Sequence, residues 1–347
     1  MDDRRARPET CHERLAAQMP RQLAWHHRRE QDVDTWRAHL RERWRLLLGH
    51  EPESPHLAPV LSTPRAHPAG RLIRLRATSE PDCLITGALL LPVTSPGPLP
   101  VIICLQGHTT GHHISLGQAR YPGDEARVAD GDRDFAVQAV RRGNAGLCLD
   151  QRCFGERHDR RHPEATTRQG AAGCLHAALA ALLLGRTMAG ERVHDVRRAC
   201  DLIETIADDH GLDATRIACM GNSGGGAITW HAATHKPRLR AIMPSCSVCP
   251  FWPSIGRIDH CADNHIPGVL DWLDMPDLAG LIAPAPTVIV TGRDDPILPL
   301  TAVREGFATI HAIYAAAGAA DACVLVEGEG EGEGEGEGGH RFYADAA

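Results

Sequence analysis

From Leu99 onward the chain alternates short, apolar, β-branched runs with helical patterns of ten residues or more, and few folds accommodate that rhythm. LPVIICLQG, AGLCLD, RIACMG, LRAIMPSC, TVIVTG and ACVLVEG read as strands. DRDFAVQAVRRG, VHDVRRACDLIETIAD, GGAITWHAATH and TAVREGFATIHAIYAAAG read as helices between them. Runs apolar on every residue suit strands buried on both faces. Strands that alternate with helices imply a mostly parallel sheet with helices on both faces, an α/β fold. Two earlier runs, RLIRLRA and CLITGALLLP, read as a strand pair.

What precedes the sheet has a different texture. In residues 1–50, Trp25, Trp36, Leu40, Trp44 and Leu47 recur near a helical period among charged residues, and Gly49 is a plausible stop. This predicts an N-terminal helical extension whose apolar stripe packs on the main domain or on a second subunit. A Pro-rich connector spans 51–70, and the α/β domain takes 71–347. Within it, the irregular segment at about 250–284, carrying Trp252 and Trp272, is a candidate cap over a site. With 347 residues the chain can bury a large core, and a net charge of −7 argues against a nucleic-acid footprint. No apolar run is long enough to span a membrane, and no apolar stretch follows the early arginines as a secretory signal requires. The reading is therefore cytoplasmic, with most of the twelve cysteines acting as small buried hydrophobes in a reducing compartment.

RIACMGNSGGGAI is a strand, a tight turn and a helix, with Gly221-Asn222-Ser223-Gly224-Gly225 at the turn. That is the G-x-S-x-G nucleophile elbow in the context it requires. The turn lifts the Ser223 hydroxyl above the sheet edge at a helix N-terminus, where developing negative charge is favoured. Side chains two residues before or after the serine would collide with the adjoining strand and helix. An ordinary glycine-rich strand–helix turn has the same look, but neither phosphate-loop glycine pattern is present.

A base and an acid must accompany the serine. TVIVTGRDDPILP places Asp294 and Asp295 at a strand's C-terminal end, and the form G-x-x-D-P-I-x-P selects Asp295 to orient an imidazole. Beyond Asp295 only His311 and His340 remain, and His311 falls inside a helix. His340 follows the last strand, completing the order Ser, Asp, His. Six Glu-Gly pairs stand immediately before it, so this low-complexity run reads as an enlarged loop that carries the base rather than as a tail. Backbone N–H groups of Gly224 and of His108, after the strand LPVIICLQG, are the expected oxyanion donors. Gln106, Asn222, Asp150 and Trp252 are candidate pocket residues. For Asp150, in DQRCFGER, structural pairing with an arginine is an equal reading.

Two clusters invite a metal. His108, His112 and His113 lie in HTTGHH, and Cys246 and Cys249 form a C-x-x-C with His260 and Cys261 downstream. Neither has the accompanying acidic ligand or second C-x-x-C that a strong site would show, so no metal and no cofactor is expected.

Together ICLQGHTTGHHISLG, DQRCFGER, GRTMAGERVHDVRRA, GNSGGG, DDPILP and GGHRFY resemble the α/β-hydrolase superfamily. The closer resemblance is to the bacterial acetyl xylan esterase-like and dienelactone hydrolase-related group, over about residues 70–347. The resemblance implies an α/β-hydrolase fold and cofactor-free ester hydrolysis by Ser223, Asp295 and His340. It implies a small-molecule or carbohydrate ester as substrate, with a short acyl group such as acetyl. Dienelactone hydrolases proper carry a cysteine nucleophile, so their substrate is not implied. Where that group has a short GEGGHRF, Glu-Gly is reiterated here. A prolyl oligopeptidase-like peptidase, an acyltransferase and a hydrolase-fold binding protein with an impaired site stay open as alternatives. Homo-oligomerisation through the N-terminal extension stays open as well.

Overall fold

Ten strands join in one sheet among the described residues of the computed structural model, which are 7–28, 32–129, 131–158, 171–235, 238–329 and 339–344. They are β1 (Val60–Leu61), β2 (Arg65–His67), β3 (Gly70–Glu80), β4 (Cys83–Leu91), β5 (Leu99–Leu105), β6 (Ala145–Leu149), β7 (Leu212–Asn222), β8 (Leu239–Ser245), β9 (Thr287–Gly292) and β10 (Cys323–Gly328). Their order is β1-β3-β4-β6-β5-β7-β8-β9-β10, with β2 also on β3. From β6 to β10 every pairing is parallel, and β1 to β4 form an antiparallel flank. The Pro-rich connector is thus no free linker: two of its segments hydrogen-bond to the sheet edge as β1 and β2.

The helices are α1 (Pro8–Gln18), α2 (Val33–Leu47), α3 (Asp124–Ala129), α4 (Phe135–Arg141), α5 (Ala171–Leu183), α6 (Met188–His210), α7 (Gly224–Ala233), α8 (Val269–Trp272), α9 (Ala279–Ile282) and α10 (Leu300–Ala316). One core cluster lines each face of the sheet. Inner strand β6 is buried at every residue, as its continuous apolar run requires. No helix among the described residues is long and apolar enough to cross a membrane.

The apolar stripe of α2 packs within this chain. Asp32 caps the helix by accepting from the Asp34 and Thr35 amides. Trp36, Leu40 and Trp44 are buried in the main core. Trp44 Nε1 donates to Thr234 Oγ1 at 2.9 Å, and a Cβ on Gly280 of α9 would fall 2.3 Å from the Trp36 ring. Truncating either tryptophan to alanine should cost about 3–5 kcal/mol.

The chain leaves β5 in one direction for β6, while β7 pairs on its other side. That reversal of strand order opens a crevice at the C-terminal ends of β5 and β7, where ligands bind in open α/β sheets. The loop holding Gln106 to His108 and the turn holding Ser223 both start there.

Candidate active site

Ser223 joins β7 to α7 with φ 57° and ψ −126°, a conformation that L-residues rarely adopt. Its amide donates to Ser245 O at 2.9 Å, and its carbonyl accepts from Ala227 to start the helix. The strained turn is held between sheet and helix, and glycine is required around it. A Cβ on Gly221 would lie 2.5 Å from the Gly225 carbonyl, and one on Gly225 would lie 2.2 Å from Leu105 O. On the facing loop, a Cβ on Gly107 would come within 2.8 Å of Ser223 Cβ. The β5 loop and the elbow therefore touch backbone to backbone. The first turn of α7 and the β5 loop flank the serine.

Asp295 and His340 meet at the end of β9. His340 Nδ1 lies 2.8 Å from Asp295 Oδ2, while Asp295 Oδ1 accepts from the amides of Ile297 (2.8 Å) and Leu298 (3.2 Å). Asp295 is buried and Asp294 is exposed, so only one of the adjacent acids reaches the imidazole. His340 is itself only 6% exposed, and its Nε2, though buried, makes no hydrogen bond.

Residues 330–338, most of the Glu-Gly run, lie outside the described residues, and so does the enlarged loop they were read to form. The segment after them is docked tightly. Tyr343 OH donates to Gly339 O, and Arg133 Nη2 donates to His340 O at 3.2 Å. Arg341 Nη2 donates to Asp132 at 2.7 Å, and the Phe342 ring packs edge-on against Phe135. A Cβ on Gly292 would sit 1.8 Å from Gly339 O, and one on Gly328 would sit 2.2 Å from the Tyr343 ring. Both positions need glycine for this segment to lie down.

Ser223 and His340 line one cavity of about 30 Å³, roughly twice what a single water requires. Ser247, Ile255, His260, Asn264 and Leu298 contribute to its walls. The four candidate pocket side chains lie outside this lining. Gln106 is buried and donates to Ser115 Oγ and Arg133 O, holding the β5 loop. Asn222 accepts from Ser245 Oγ beneath the elbow. Asp150 accepts from the amides of His112 and Glu156 and from Thr86 Oγ1, so it staples neighbouring loops to β4 and β6. Its carboxylate pairs with His112 Nδ1 at 2.9 Å rather than with an arginine. Trp252 lines a separate apolar groove beside α1, while Ser254 and Ile255 line the cavity.

The arginines of DQRCFGER do pair, with a different acid. Asp195 accepts from Arg152, Arg157 and Ser79. Burial alone would raise the Asp195 pKa, but the charges of Arg157 and Arg152 outweigh it and hold the carboxyl well below its usual range. His113 is held by Asp124 at 2.9 Å, so the three histidines of HTTGHH point to three different acids.

The third of these pairs was not legible beforehand. His108 Nε2 lies 3.1 Å from Asp263 Oδ2, and its ring covers Gly224 at 3.4 Å from where a Cβ would stand. Burial disfavours the imidazolium, but the Asp263 charge and contact outweigh it and raise the His108 pKa to about 10. Asp263 also accepts from Arg192 (2.5 Å) and from Cys174 Sγ (2.8 Å). Cys246 and Cys249 stay apart from this cluster, each a buried thiol that desolvation pushes up to about 12.

No protein-family model matches the chain. It is 23% identical over 242 residues to "Putative hydrolase YtaP" of Bacillus subtilis (strain 168), covering 66% of this chain and 72% of that protein. Among solved structures it superposes on a "putative acetyl xylan esterase" from Bacteroides fragilis with a TM-score of 0.74 at 18% identity, covering 91% of this chain and 80% of the other. A glucuronoyl esterase from Solibacter usitatus gives a TM-score of 0.63 at 14% identity over 86% and 89% of the two chains. An acetyl xylan esterase from Paenibacillus sp. R4 gives 0.52 at 19% identity over 87% and 90%. The fold is that of the α/β-hydrolases. These likenesses extend to the architecture and leave the chemistry to the site itself.

Proposed function

We propose that this protein is a serine carboxylesterase that cleaves short-chain esters of the acetyl type, with acylated carbohydrate as the substrate class. The observation that carries this reading is the convergence of a strained elbow serine and a buried Asp–His pair on one small cavity. Asp295 holds the Nδ1 proton of His340, which leaves Nε2 free to act as the base. Its missing hydrogen bond suits a proton acceptor whose contact with the serine closes when substrate binds.

In the first half-reaction Ser223 Oγ attacks the ester carbonyl carbon and its proton passes to His340 Nε2. The backbone N–H groups of Gly224 and His108 receive the oxyanion, helped by the α7 N-terminus. Collapse of the intermediate breaks the bond to the alcohol, which leaves with the proton from His340. Water, deprotonated by the same nitrogen, then attacks the acyl carbon; the bond to Ser223 Oγ breaks, His340 returns the proton to it, and the carboxylic acid leaves. A cavity of about 30 Å³ leaves little room beside the serine and supports a short acyl group. The acetyl xylan esterases among the structural neighbours favour the same substrate class.

The test is hydrolysis of p-nitrophenyl acetate, butyrate and octanoate by the wild type and by Ser223→Ala. The acetate should be the best substrate, and Ser223→Ala should lose about 10⁴-fold or more in kcat. A preference for octanoate would overturn the short-acyl reading, and an active Ser223→Ala would overturn the nucleophile.

A further inference from the structure

Beside the oxyanion loop, three separate stretches of chain bring metal-ligand atoms to one point. They are His108 from the loop after β5, Cys174 from α5, and Cys261 with Asp263 from the segment at 250–284. The imidazole nitrogen, both sulfurs and a carboxylate oxygen all lie within 4.8 Å of one another. Tetrahedral zinc, with bonds of about 2.0 Å to N or O and about 2.3 Å to S, sets its ligand atoms roughly 3.3–3.8 Å apart, so only small side-chain movements separate this arrangement from coordination.

Three further observations favour an ion. His108 Nε2 is buried and stands 3.1 Å from Asp263 Oδ2, yet it makes no hydrogen bond; Asp263 Oδ1 is likewise buried and unpartnered. A nitrogen aimed beside a carboxylate oxygen in this way is placed to share an ion with it. Second, the charges balance. With His108 bound as the neutral imidazole, two thiolates and a carboxylate carry −3, and a divalent ion with the buried Arg192 guanidinium carries +3. Third, the surrounding contacts are those that steady metal ligands. Arg192 donates to Asp263 Oδ2 at 2.5 Å and to Cys174 Sγ at 3.0 Å, and Phe154 covers its guanidinium. Cys153, Phe154 and Met188 form a dry wall around Cys174.

We propose that His108, Cys174, Cys261 and Asp263 bind a structural Zn²⁺. All four positions are filled by protein, so the ion is closed to substrate, and mixed S, N and O donors suit zinc over magnesium or calcium. Its effect is mechanical. It ties α5 and the 250–284 segment to the loop that carries the proposed oxyanion donor, and it fixes the imidazole over Gly224. The thiols and the His108 imidazolium give up their protons to solvent as the ion enters.

The test is metal content by plasma mass spectrometry after expression in zinc-supplemented medium, with Cys174→Ser, Cys261→Ser and the exposed-site control Cys11→Ser. Wild type and Cys11→Ser should hold about one zinc per chain, and the two cluster variants should lose it. Titrating the chelator-stripped wild type with Co²⁺ should give intense visible bands of tetrahedral cobalt and a near-ultraviolet thiolate charge-transfer band, a readout that needs no folded variant and no activity. Zinc at background level with no thiolate band would overturn the proposal. So would equal zinc in the cluster variants, or metal-free protein with Cys174 and Cys261 joined as a disulfide.

Discussion

Two histidine–aspartate pairs flank Ser223, and their geometries are opposite. In the His340–Asp295 pair, Nδ1 faces the carboxylate at 2.8 Å, and the other carboxylate oxygen is held by two backbone amides. The Cys246 thiol lies near this pair, and His340 Nε2 makes no hydrogen bond among the described residues. In the His108–Asp263 pair, Nε2 faces the carboxylate at 3.1 Å, and the same oxygen is shared with Arg192 and Cys174. There Nε2 lies beside a carboxylate that other groups already hold, and it makes no hydrogen bond of its own. Which ring nitrogen meets the carboxylate, and what else holds that carboxylate, separates the proposed base from the proposed anchor.

The contrast can be broken by removing each acid. Asp295→Asn should leave the fold intact and lower kcat for p-nitrophenyl acetate about 10⁴-fold, because the amide no longer fixes the imidazole tautomer. Asp263→Asn should do the reverse. It strips Arg192, only 1% exposed, of its carboxylate and should cost about 3–5 kcal/mol in denaturant unfolding, with kcat reduced far less than in Asp295→Asn. If both variants lost activity equally at unchanged stability, the two pairs would not differ as described.

A smaller effect tests how His340 is delivered. Gly292→Ala places a Cβ 1.8 Å from Gly339 O and should push the C-terminal segment off its seat. A displacement of about 1 Å at the base should lower kcat roughly 10²-fold, with KM changed much less.

The smallest effect concerns a carboxylate held by backbone amides, with Arg21 nearby paired to Asp274. Asp277 accepts from the amides of Trp25 (2.8 Å) and Asp274 (2.7 Å), and burial pushes it up to about 7. Its unfolded value is about 3.9, so the folded chain binds more protons between about pH 4 and 7. Stability due to this group therefore falls as pH rises through that window, by at most about 1.4 kcal/mol per unit, and is level above it. Asp277→Asn should flatten this part of the profile of urea midpoints against pH. An unchanged slope would mean that Asp277 titrates normally.

Much of the fold was legible because its strands announce themselves. TVIVTG and ACVLVEG are apolar and bounded by glycine, and they appear as β9 and β10. Helix α5 is not legible in the sequence, because AAGCLHAALAALL is apolar nearly all round and gives no amphipathic period. Strands β1 and β2 were hidden in the Pro-rich stretch, since short edge strands need few residues and carry no core pattern. Ser223, Asp295 and His340 could be picked out because each follows a recognisable strand in a fixed order. Asp263 and Cys174 could not. They come from irregular or patternless segments, and only tertiary packing brings them to His108 across intervals of 155 and 66 residues. The polar groups near strand ends misled for a related reason: Asp150 and Gln106 sit where ligands bind, yet their hydrogen bonds go to loop backbone.

The account rests on Ser223 carrying the acyl group. The most direct measurement is rapid acid quench of the enzyme with p-nitrophenyl acetate, followed by peptide mapping by mass spectrometry. One acetyl group on the Ser223 peptide, absent in Ser223→Ala and accumulating in Asp295→Asn when deacylation is slowed, is the result expected. Acetyl found on another residue, or steady turnover in Ser223→Ala, would contradict it.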